Sequence, residues 1–251
     1  THYTTGTLQL QDTETLTITT KDTDSGTVEY VGTTDALNYG NTYYNIKFNN
    51  ASGSWTLGAP LVVNGTLTDA LGTLNANGQT ILVAGLTTVS GGTYITGSAA
   101  QTLTGGLTFS SGVITQGTGT ITIKGDMTVS GGVTFTKNAS GLIVFASGDA
   151  NQDLTSAGID IGNIRVSANT GNTTLTLQDA INADNITIDA SQTLSAGTAR
   201  AISCGGTWAN SGIFTHGSGT VTFDGTGTKS ITSASQPFYN IIFNGSSTWT
   251  I

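Results

Sequence analysis

The chain has 251 residues, of which 35 are Gly and 50 are Thr, and only 9% are Asp, Glu, Lys or Arg, against about 25% in an ordinary soluble domain. Seven Lys and Arg against 15 Asp and Glu give a net charge of −8, which excludes the basic footprint that a phosphate backbone requires. Val, Ile and Thr recur in short apolar runs, which excludes disorder, and no run approaches the ~20 consecutive apolar residues of a membrane helix.

In chain order, the sequence begins at Thr1 rather than Met. The expectation is a removed leader or an excerpt of a longer exported chain. TLQLQ and TLTIT, within the first 20 residues, alternate apolar and polar positions and read as strands. Residues 24–57 then carry three phrases, DSGTVEYVG, YNIKFN and SWTL, which return as GSGTVTFDG, YNIIFN and TWTI over 217–251.

From residue 65 a ruler appears. Gly65, Gly85, Gly105 and Gly125 lie 20 apart, and Gly72, Gly92, Gly112 and Gly132 follow each by seven. Two residues before the first set stand Val63, Val83, Leu103 and Ile123, and three residues after it stand Thr68, Thr88, Thr108 and Thr128. Between 137 and 204 the spacing loosens, with Asn163-Ile164, Asn185-Ile186 and Gly205 or Gly206 as anchors. Segment 211–225 repeats 111–125 at an offset of 100, read as five turns of 20.

A fixed step that persists along a chain is the mark of a coil in which each residue stacks on its counterpart one turn earlier. The expected fold is therefore all-β: a single-stranded right-handed parallel β-helix (β-solenoid) with ~20-residue rungs and about 12 rungs, each climbing one strand spacing of about 4.8 Å. Helix formers are scarce, and no helix is expected. With no Pro-rich or charged linker, residues 1–251 read as one continuous solenoid, an excerpt or subunit of a longer tandem or head-to-tail array.

Phrases such as GTGTITIKGDMTVSGG resemble the Gly, Thr, Ser and Asn-rich rungs of bacterial right-handed β-helix surface proteins, among them autotransporter passengers and filamentous-haemagglutinin-type adhesins. GSGTVTFDGTG followed by FYNIIFN is also similar to tandem modules of very large exported proteins. The resemblance implies a β-helix at the cell surface or outside the cell. It carries no functional residue with it.

Few residues fit a reaction centre. The basic side chains are scattered, no two Asp are adjacent, and Asp126 and Asp224 read as five turns apart, too far for paired carboxylate chemistry. His2, His216 and Cys204 supply the imidazoles and the thiol; His216 replaces Gln116 of the matching rung and reads as a corner residue. The sequence thus points away from an enzyme and requires no cofactor. A weak Ca²⁺ site is offered by Asp149, Asn151 and Asp153 in GDANQD, where alternate side chains present hard oxygen ligands. Asp22 and Asp24 in KDTDSG read as turn carboxylates.

Function is expected at the ends of the coil, where unpaired strand edges recruit further strands. Leu8 and Leu10 at one end and Trp249 and Ile251 at the other are the self-assembly candidates. The leading expectation is a structural extracellular filament or stalk whose partner is another copy of itself. The alternative is a surface adhesin using Tyr43, Tyr44, Trp55, Trp208, Phe238, Tyr239 or Trp249 on glycans, with a β-helix polysaccharide lyase or hydrolase third.

Overall fold

The computed structural model describes residues 6–11, 14, 16, 21–33, 37, 39–148, 150–168 and 170–251. It is an all-β parallel solenoid of about 12 turns, each of roughly 20 residues, with no helix among the described residues. The chain divides into two compact units, residues 1–121 with 132–136, and residues 122–131 with 137–251.

In the first unit each turn contributes a short strand to one wall and a longer, bent strand to another. Leu61–Val63, Ile81–Val83 and Gln101–Leu103 stack in parallel, with Leu61 over Ile81 and Val63 over Val83 and Leu103. Leu67–Asn75, Thr87–Ile95 and Leu107–Thr115 stack beside them, and Thr68, Thr88 and Thr108 form the half-buried column that the 20-residue step requires. Alternation does the sorting: Val63, Val83 and Leu103 point inward and are buried, while the intervening residues face out.

The glycine ruler has a steric cause. A Cβ on Gly85 would sit 2.6 Å from the Gly65 carbonyl oxygen, because the Gly85 N–H donates to that oxygen at 2.8 Å. At the bend of Leu107–Thr115, Gly112 takes φ +94°, and a Cβ there would meet the Gly92 oxygen at 2.3 Å. Only glycine combines that φ with so close an approach.

In the second unit three walls are distinct. Phe145, Val166 and Ile188 rise on one, Leu175 and Leu194 on a second, and Ile181, Ile202 and Val221 on the third. The looser anchors stack as the spacing requires, with Ile164 over Ile186 and Ile186 over Trp208. The Asn185 amide donates to Asn163 Oδ1 at 2.6 Å, and Asn185 Oδ1 accepts the Thr207 N–H at 2.7 Å.

The register expected between segments 111–125 and 211–225 holds for the first strand of each and is corrected for the second. Leu107–Thr115 and Ile213–Thr215 lie in one sheet, five neighbours apart, whereas Thr120–Ile123 and Thr220–Phe223 lie on different walls. The Ile123 carbonyl receives the Ala146 N–H on the wall of Phe145, Val166 and Ile188, whereas Phe223 stacks on Cys204 on another. Steps of 21 and 22 residues on the first of these walls come from longer corner loops, which absorb residues without disturbing the strands.

Two buried glutamines are tied to the backbone at corners. Gln101 donates to the Thr96, Ala99 and Gln79 carbonyls and accepts from Tyr94, while Gln152 donates to the Ile123 and Gly125 carbonyls. Each such bond is worth on the order of 1 kcal/mol, and more is lost by leaving a buried group unpaired.

Candidate functional site

The two related stretches of sequence fold into the same motif. In the first unit Thr27–Tyr30 pairs with Asn45–Thr56 so that Val28 faces Ile46 and Tyr30 faces Phe48. In the second, Thr220–Phe223 pairs with Asn240–Phe243 so that Val221 faces Ile241 and Phe223 faces Phe243. The Tyr30 and Phe48 rings stack with centroids 5.7 Å apart at 20°, and the Phe223 and Phe243 rings at 5.6 Å and 22°. A tryptophan closes each layer, Trp55 at 5.0 Å from Phe48 and Trp249 at 6.0 Å from Phe243.

Their surroundings differ. Leu67–Asn75 lies over the first motif, placing Leu67 on Ile46, Asp69 on Phe48 and Leu74 on Trp55, and Phe48 is 0% exposed. The second motif has Asn240–Phe243 and Ser246–Thr250 as the last strands of their sheets, and Phe243 is 51% and Ile241 44% exposed. Tyr239 and Ile242 are exposed beside them, and residues 238–251 contain no charged side chain. Natural sheet edges are usually blunted by Lys, by inward charges or by a covering segment. Covering each of these half-exposed apolar side chains would contribute roughly 1 kcal/mol.

The sequence-predicted residues fall as follows. Ile251 is 90% exposed and Trp249 half-buried, whereas Leu10 is buried over Tyr30 and Leu8 is half-buried over Val28. Asn151 and Asp153 are exposed, with the Asp153 N–H donating to Asp126 Oδ1 at 2.9 Å; Asp149 and His2 lie outside the described residues. No group of three or more His, Cys, Asp or Glu able to hold a metal occurs among the described residues. Asp22 accepts the Ser25 hydroxyl and the Asp24 and Ser25 N–H groups, and these bonds, the Ser25 hydroxyl foremost, hold its carboxyl down to about 2.

Of the candidate glycan-binding aromatics, Tyr43, Trp55 and Trp208 are buried in the coil, and Tyr239 stands exposed beside His216 at 5.5 Å. His216 Nδ1 accepts the Ser218 N–H at 3.0 Å, as a corner residue does. Cys204 is buried, and burial pushes its thiol up to about 12, which leaves it without the thiolate that chemistry would need.

Two polar groupings were not anticipated. Lys137 bridges Asp160 and Asp184; burial alone would lower its pKa, but hydrogen bonds to the two carboxylates raise it. Asp184 and Asp224 lie on either side of Gly205, each with an oxygen within 3.9 Å of where a Gly205 Cβ would stand. Both aspartates follow an inward residue, Ala183 and Phe223, one residue past the end of the strand; that shared position was the available signal.

Compared with protein families, with curated proteins and with solved structures, the chain matches none.

Proposed function

We propose that this chain is a non-catalytic structural solenoid that lengthens by stacking turn upon turn, forming the body of an extracellular filament or stalk. The observation that carries this reading is the contrast between Phe48 and Phe243, equivalent members of one motif, one sealed beneath the next turn and the other half exposed. The next turn is supplied by a second copy or by a tandem module of a longer chain; Thr7–Leu10, the first described strand, shows the matching alternation of apolar and polar residues. A head-to-tail contact of this kind does not close on itself and so yields a fibre. The extracellular setting rests on the rung composition, which resembles that of exported surface proteins, and on sides clad in small hydroxyl residues.

Light scattering and negative-stain microscopy of the 251-residue protein test the reading. Linear oligomers whose length rises with concentration, and which Ile241→Lys with Phe243→Lys abolishes, are expected. A particle that stays at 25.5 kDa at all concentrations, unchanged by the double substitution, overturns it.

The exposed Tyr239 beside His216 favours one second reading, a surface adhesin that stacks a sugar ring on the tyrosine. Glycan retention lost in Tyr239→Ala, with no change in oligomer length, would select it.

A further inference from the structure

The inward column of the first unit reads Tyr30, Phe48, Asp69, Val89, Phe109. Four members are apolar or aromatic and one is an acid. Asp69 is 0% exposed, and neither carboxylate oxygen has a hydrogen-bond partner. The carboxyl rests on bare backbone: a Cβ on Gly92 would stand 2.1 Å from Asp69 Oδ1.

The groups around it carry no compensating charge. Phe48 comes from Asn45–Thr56, and Val89 and Gly92 from Thr87–Ile95. Tyr94, also of Thr87–Ile95, is the titratable group that feels Asp69; its hydroxyl donates to Gln101, and burial and then Asp69 raise its pKa. Glu29 and Lys47 pair with each other on alternate positions of their strands, which face away from Tyr30 and Phe48. A carboxylate in such a place is more costly than a carboxylic acid, which needs only one donor bond and bears no charge.

We propose that Asp69 is a pH-sensing element of the first unit: the coil closes around the neutral carboxylic acid, and because the carboxyl ionises readily only when the turns open to water, rising pH favours opening over an unsolvated charge between Phe48 and Val89. Burial pushes the folded-state carboxyl up to about 7 from its ordinary 3.8. A group raised in the folded state contributes stability that is complete below its unfolded pKa and is lost as pH rises through the folded one. The first unit is therefore tightest in acid and loosens between about pH 4 and pH 7.

The test is hydrogen–deuterium exchange of the 251-residue protein from pH 4 to 8, corrected for intrinsic rates and read over residues 61–95, with Asp69→Asn as the uncharged isostere. The expected result is an opening equilibrium that rises by up to about a thousandfold across this range in the wild type relative to Asp69→Asn, since each unit of pKa difference is a factor of ten. Parallel profiles in the two proteins overturn the proposal. Should Asp69→Asn not fold, the ¹³C shift of the Asp69 carboxyl in the wild type decides: titration near pH 7 supports the proposal, and titration at or below the ordinary carboxylate range overturns it.

Discussion

Asn185 lies one turn beyond Asn163 and donates its side-chain amide to Asn163 Oδ1 at 2.6 Å. Its own Oδ1 accepts the Thr207 N–H, and Asn163 in turn donates to the Ala139 and Gly141 carbonyls. Four successive corners are thereby stitched together by two side chains.

Removing one stitch should be felt at the next. Asn185→Ala is expected to lower stability by about 1 kcal/mol, the net value of an exposed hydrogen-bonded amide. Gly206→Ala forces a Cβ to 2.3 Å from Asn185 Oδ1, so the two substitutions together should cost less than the sum of their separate effects. Urea unfolding of the four proteins in a double-mutant cycle checks this.

The two equivalent phenylalanines should respond differently to the same substitution. Phe48→Ala opens a hole beneath Asp69 and is expected to cost about 3–5 kcal/mol. Phe243→Ala, in the exposed copy of the motif, should cost about 1 kcal/mol or less in dilute monomer. Under conditions where copies assemble, the Phe243 substitution should instead shorten the assemblies, which light scattering would record.

Glu29 should set an acid limit opposite in sign to the effect of Asp69. Burial opposes its charge, but hydrogen bonds from Lys47, Gln9 and Asn49 prevail and lower its pKa. A carboxyl lowered in the folded state contributes stability above its unfolded pKa of 4.5 that is lost as pH falls through the folded value. Glu29→Gln should flatten that acid limb, and thermal melts from pH 5 down to pH 2 would show the difference.

Cys204 should be silent to thiol reagents in the folded protein. Its sulfur is buried against the Asp184 and Gly206 carbonyls, and its raised pKa leaves almost no thiolate at pH 8. Alkylation by iodoacetamide is expected only once denaturant opens the second unit, and a native-state reaction at the rate of a free thiol would contradict this.

Stacking was legible in the sequence because a parallel coil writes its geometry as a step. Gly65 and Gly85 touch, and Thr68, Thr88 and Thr108 align, since every turn between them has the same length. Where corner loops vary, the step no longer reports the wall, which is why 111–125 and 211–225 match in sequence and share a sheet in their first strands, yet Thr120–Ile123 and Thr220–Phe223 sit on different sheets. Asp69 was also visible in principle: LTDALG, TTVSGG and LTFSSG align at the 20-residue step, placing the acid in a column with Val89 and Phe109. Alternation alone labels that position inward, and only the absence of partners for both oxygens, a three-dimensional fact, makes it consequential. The exposure of Phe243 follows from its place in the last lap of the sequence and not from its local sequence, which is nearly that of buried Phe48.

The uniform step of the first unit also makes its laps interchangeable parts. Excising residues 85–104 would join Ala84 to Gly105 and set Gly105 upon Gly65 with the same glycine-on-glycine seat that Gly85 now occupies. Genetic slippage by whole laps would thus alter how many storeys the coil has while leaving each floor plan intact, a route by which such a gene could change the reach of its product without inventing a new fold.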